Sequence, residues 1–83
     1  MKIDESLALV RERIAQVAPE INVSSLDADA DLRRCADLDS LDFQTLVELI
    51  AAATGVEVPE RDYPKVRSLR GMAEYVSAHG QRT

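Results

Sequence analysis

Tryptophan is absent from the 83 residues, and one phenylalanine with two tyrosines brings the aromatic share to only 4%. With 46% of the chain apolar, the core has to come from Leu, Val, Ile and Ala, which short packed helices supply, so an all-α fold is expected. Cysteine occurs once, at Cys35. That excludes an intramolecular disulfide and a paired-cysteine metal site, and it fits a reducing compartment. Cys35 itself is expected to be a small buried hydrophobe. No apolar run approaches the roughly 20 residues of a membrane-spanning helix. The opening Met1-Lys2-Ile3-Asp4-Glu5 turns acidic where a signal peptide needs an apolar stretch. The expected compartment is the cytoplasm, with no membrane insertion. Positive charge is also scarce, ten Lys and Arg against fifteen Asp and Glu, for a net charge of -5 and a pI near 4.7. Nucleic acid is excluded as a partner because phosphate binding needs a basic surface, and basic proteins become the natural partners. The chain has room for one domain, residues 1–83, and one small core, so neither a cleft enzyme nor a catalytic or metal site is expected.

Ile3, Leu7, Val10, Ile14 and Val17 recur at spacings of four, three, four and three, one stripe of a helix over Ile3–Val17. Lys2, Glu5, Arg11, Glu12 and Arg13 are left for its solvated side. Pro19 ends it by disfavouring helical geometry in Ala18. Residues 20–39 lack sustained periodicity and are rich in Ser and Asp, which bond to nearby backbone, so a long loop is expected. Ile21, Val23, Leu26 and Leu32 are its candidate apolar anchors. Six acids between Asp27 and Asp42, namely Asp27, Asp29, Asp31, Asp37, Asp39 and Asp42, face only Arg33 and Arg34. The alternation of Asp27, Asp29 and Asp31 is not a calcium loop, because Leu32 and Leu38 stand where its glycine and bidentate glutamate belong.

A helix is predicted over Ser40–Thr54, closed by Gly55 in a left-handed cap. Its core face comprises Leu46, Leu49, Ile50 and Ala53, with Phe43 at the margin, and its outer face Leu41, Thr45, Glu48 and Ala52. Val56 and Val58 form an extended exit, and Pro59 opens a short, partly 3₁₀ turn over Glu60–Val66 that Pro64 keeps short. Ser68 is the expected N-cap of a last helix, Leu69–His79, with Leu69, Met72, Ala73 and Val76 on one face. Gly80 ends it, and residues 81–83 form a tail. His79 suits a helix C-terminus electrostatically and is assigned no chemistry.

The junction at Leu38-Asp39-Ser40-Leu41-Asp42 has two readings. Asp39 as N-cap with acids in the first turn is an ordinary helix start. The same residues resemble the attachment motif of acyl carrier proteins. The resemblance runs without a gap from about Leu32 to about His79. It takes in the Gly55-Val56-Glu57-Val58-Pro59 exit and the last helix with Tyr75, and it reaches more loosely into the first helix. It implies a small four-helix bundle of three main helices and a short third one, with a long loop before the second main helix. It also implies that Ser40 carries a 4′-phosphopantetheine arm taken from coenzyme A. Asp39 would assist its modification, and Leu41, Asp42, Thr45, Glu48 and Ala52 would meet partners. An anion on Ser40 would sit at a helix N-terminus, where free N–H groups and the dipole favour it.

The implied protein is a free-standing, monomeric carrier of thioester-bound intermediates and not an enzyme. It would be served by a phosphopantetheinyl transferase and by acyl- or aminoacyl-loading and acyl-transferring enzymes. Fatty acid, lipid and specialised metabolite synthesis are all open pathways. A carrier loaded by an adenylating ligase and an unmodified helical adaptor are the alternatives. The chain departs from the pattern at Cys35-Ala36-Asp37, where Asp37 replaces the usual glycine. It departs again on the outer face, where acids are thinned to Glu48 beside Thr45, Ala51 and Ala52.

Overall fold

The computed structural model describes residues 2–36 and 38–79. Asp37, Gly80 and the expected 81–83 tail lie outside the described residues. Four helices follow in order: α1, Ile3–Val17; a single-turn α2, Leu32–Cys35; α3, Ser40–Thr54; and α4, Leu69–His79. Turns of 3₁₀ helix fill Val23–Ser25 and Glu60–Val66. The only extended pairing among the described residues is an isolated antiparallel bridge between Asp31 and Ser68. This is the expected small all-α bundle, with α1 packed against both α3 and α4 and the 3₁₀ helix Glu60–Val66 packed against α4.

In α1, Val10 and Ile14 are fully buried, Leu7 and Val17 are partly buried against the core, and Ile3 at the end of the stripe remains 38% exposed. The segment read as one long loop contains two helical turns. Asn22 accepts from the Ser24 N–H at 3.2 Å and Asp31 from the Arg33 N–H at 2.9 Å. The side-chain bonds that favour turns thus also start one-turn helices, which are too short to show a 3.6-residue period. Ile21, Val23 and Leu26 anchor the segment from part-buried positions, and Leu32, Ala36 and Leu38 bury fully or nearly so. Its far end is stitched to the start of α4. The Leu32 N–H donates to the Arg67 carbonyl at 2.7 Å and the Arg70 N–H to the Ala28 carbonyl at 2.8 Å. Beside them Arg70 Nε meets Asp29 Oδ1 at 2.6 Å.

Cys35 is exposed, against the expectation of burial. In a single turn of helix the inward positions are Leu32 and Ala36, four residues apart, and position 35 points outward. The core face of α3 also differs from its periodicity. Phe43, Leu46, Val47 and Ile50 are buried, whereas Leu49 is half-buried and Ala53 exposed. Cover arrives from outside the helix: Tyr63 meets Phe43 edge to face with ring centroids 5.3 Å apart, and Val58 and Tyr63 border one groove with Val47.

Gly55 closes α3 with φ 78°, its N–H donating to the Ala51 carbonyl at 2.8 Å. Ser68 caps α4 by accepting from the Gly71 N–H at 2.9 Å. Gly71 sits where α4 meets the 3₁₀ helix, and a Cβ there would lie 2.6 Å from the Lys65 carbonyl oxygen. Gly71→Ala should therefore lower the unfolding midpoint, although alanine in an open helix would add about 1 kcal/mol of stability. A raised midpoint would show that the backbones do not approach so closely. Leu46, with no exposed surface, and Leu41, 72% exposed, make a second test. Leu46→Ala should cost about 2–5 kcal/mol in denaturant melts and Leu41→Ala far less, whereas equal losses would contradict the placement of α3.

Candidate functional site

Leu38 and Phe43 are both nearly buried and hold the start of α3 from either side, leaving Asp39, Ser40 and Leu41 exposed between them. Asp39 is the N-cap. Its Oδ1 accepts from the Asp42 N–H at 2.8 Å, while Asp42 Oδ2 turns back toward the Asp39 N–H at 3.5 Å. The helix-start reading of these acids therefore holds whatever else they do. Ser40 is the first residue of α3, and the Arg33 guanidinium reaches its hydroxyl, Nη2 to Oγ 3.3 Å. A groove of about 330 Å³ opens beside it, lined by Arg33, Ser40, Phe43, Gln44, Glu60 and Tyr63.

Leu41, Thr45, Glu48 and Ala52 are all exposed and run as a single stripe away from Ser40, as expected. Asp42 is half-buried beside the cap. The Thr45 hydroxyl donates to the Leu41 carbonyl at 2.9 Å, and Glu48 is the only charged residue of the stripe. Arg33, Glu60 and Tyr63 were not legible as neighbours of Ser40. Arg33 lies seven residues upstream in an aperiodic stretch, and its only signal was positive charge among acids.

A family model described as a phosphopantetheine attachment site matches residues 8–76. The chain belongs to the acyl carrier protein family. A protein of Rubrobacter xylanophilus named acyl carrier protein is 30% identical over 76 residues, covering 83% of this chain and 94% of that relative. The cofactor of the family is 4′-phosphopantetheine, and its members are carriers, not enzymes, engaged by modifying and acyl-handling partners. Among the described residues of this carrier, no helix is long and apolar enough to cross a membrane.

The wall of the groove formed by Glu60–Val66 is tied down at one point by a polar pair. The Tyr75 hydroxyl donates to Asp62 Oδ2 at 2.7 Å, and Lys65 Nζ lies 3.5 Å from Asp62 Oδ1. The Tyr75 ring stacks on His79, centroids 4.1 Å apart. The Tyr75 hydrogen bond, with Lys65 in support, holds the Asp62 carboxyl below its ordinary range. The same bond, with burial, raises the Tyr75 phenol. Cys35, by contrast, is not an activated thiol: partial desolvation raises its pKa, and the nearby Asp31 and Asp27 carboxylates add to the rise.

A depressed Asp62 contributes stability that is present above the unfolded carboxyl value and is lost as pH falls through the folded one. A raised Tyr75 contributes stability that is present below the unfolded phenol value and is lost as pH rises through the folded one. The pair thus supports the carrier across the neutral range. In Tyr75→Phe the drop in melting midpoint between about pH 7 and about pH 3 should be smaller than in the wild type. Equal drops would remove this bond from the acid response.

Proposed function

We propose that the chain is an acyl carrier protein, a single domain over residues 1–83, cytoplasmic and monomeric, whose arm is attached to Ser40. The observation that carries the assignment is the placement of this hydroxyl, exposed at the first position of α3 on the rim of an open groove. Other serines fit less well: Ser6 is fully buried and Ser68 is occupied as the cap of α4. The residues around Ser40 suit a bulky anionic substituent, because the hydroxyl faces solvent and a guanidinium stands at 3.3 Å. When bound, the arm supplies a terminal thiol that holds the acyl group as a thioester.

The protein's own residues do the remaining work. Leu38 and Phe43 keep the junction anchored, and Asp39 fixes the helix start while offering a carboxylate to the transferase and its magnesium. Leu41, Asp42, Thr45, Glu48 and Ala52 present the face that partners read. The partners are a phosphopantetheinyl transferase and acyl-loading and acyl-transferring enzymes of fatty acid, lipid or specialised metabolite synthesis. The relative's name supports acyl cargo. A second, specialised reading, with partners other than those of generic fatty acid synthesis and acyl or aminoacyl cargo, is favoured by one observation, the single acid on the outer stripe, which weakens electrostatic steering across that face.

Incubation with coenzyme A, magnesium and a broad-specificity transferase should add one arm to the wild type and none to Ser40→Ala, with little change in stability. Intact-mass spectrometry checks this, and an arm on Ser40→Ala would move the site elsewhere. Partner choice has its own test. The loaded carrier should be a poor substrate for a generic malonyl transferase or ketosynthase, and Glu in place of Thr45 and Ala52 should improve it. Turnover of the unaltered carrier at moderate salt equal to that of those enzymes' own carrier would contradict the specialised reading.

A further inference from the structure

We propose that Arg33 is the cation that pairs with the phosphodiester of the arm, an inference that rests on attachment at Ser40. The Arg33 guanidinium already touches the oxygen to be modified, Nη2 to Oγ 3.3 Å. Its position is set by the fold. The neighbouring Leu32 is fully buried and hydrogen-bonded to Arg67, and the Arg33 N–H is held by Asp31 Oδ1, so the exposed side chain projects from α2 across the mouth of the groove.

Charge makes the pairing specific. Asp39 and Asp42 flank Ser40 along the chain and Glu60 lines the same groove, so a phosphodiester enters a neighbourhood already carrying three carboxylates. Like charges at such separations repel, and the compensation has to come from a cation free to turn toward the new anion. Lys65 is engaged with Asp62 and Arg70 with Asp29, whereas Arg33 has no carboxylate within ion-pair distance among the described residues. Among the described residues, Arg33 is also the only cation lining that groove. Once Oγ becomes an ester oxygen, the non-bridging oxygens lie one P–O bond further out, and the planar guanidinium fork can take two of them where it now meets one hydroxyl. The N–H groups of Ser40 and Leu41, with no hydrogen-bond partner among the described residues, face the same anion from the helix side. Arg33 is therefore a binding residue for the arm's charge, distinct from the outer stripe that partners read.

The test is a cycle of four proteins, the wild type and Arg33→Gln, each unloaded and loaded to completion with excess transferase as confirmed by mass. Melting midpoints and the ³¹P chemical shift are recorded at low and high salt. The change in midpoint on loading should be more favourable in the wild type than in Arg33→Gln by about 2–5 °C at low salt. That excess should shrink in high salt as the exposed pair is screened. The ³¹P resonance should differ between the two loaded proteins, and Arg33→Lys should recover part of both effects. Failure of the wild type to load would overturn the carrier reading itself. Complete loading with the same change in midpoint and the same ³¹P shift in all variants would overturn the role of Arg33 alone.

Discussion

Two backbone hydrogen bonds set the frame in which Ser40 is presented. The stretch between α1 and α3 forms only single helical turns of its own, and without fixed points it would deliver the start of α3 to no defined place. The Leu32 N–H on the Arg67 carbonyl and the Arg70 N–H on the Ala28 carbonyl give it those points, at 2.7 and 2.8 Å. The second bond also satisfies one of the unpaired N–H groups that any helix leaves at its start, so capping α4 and positioning the loop are one event. From there Ala36 and Leu38 are drawn into the core, and the chain has only Asp39 left before α3 begins.

That arrangement explains why an exposed serine can sit beside a well-packed core. Leu38 and Phe43 bury on either side of it, and the Asp39–Asp42 cap fixes the backbone between them. The hydroxyl is held in place by its neighbours and makes no contribution of its own to the packing. Such separation suits a carrier, which needs a rigid point of attachment while the reactive end belongs to the arm and the chemistry to the partners. The acidic residues near Ser40 serve the helix first. The recognition proposed for them would be a second demand on groups the fold already requires.

Where pattern is dense, the sequence was a faithful guide. The stripe from Ile3 to Val17 with Pro19 behind it, the Asp39 cap with Gly55 fifteen residues past Ser40, and the Ser68 cap before Leu69 are local signals, and α1, α3 and α4 have the bounds those signals set. The exposure of the Leu41 stripe followed from helix phase alone. What was missed depends on contacts between distant parts of the chain. Val47 is buried and Ala53 exposed because cover for α3 comes from the segment around Val58 and Tyr63. Cys35 faces outward because a one-turn helix around it buries Leu32 and Ala36. The approach of Arg33 to Ser40 and of Tyr75 to Asp62 required the loop and the 3₁₀ helix to be in place.

The claim on which the functional account turns is that Ser40 bears the arm, and the most direct measurement is tandem mass spectrometry of trypsin-digested protein from its native host. Cleavage after Arg34 and Arg61 gives a peptide from Cys35 to Arg61 in which Ser40 is the only serine. This peptide should carry a phosphopantetheine arm that is lost on fragmentation, with the site localised to Ser40. A peptide found wholly unmodified in actively growing cells, or an arm mapped to any other residue, would contradict it.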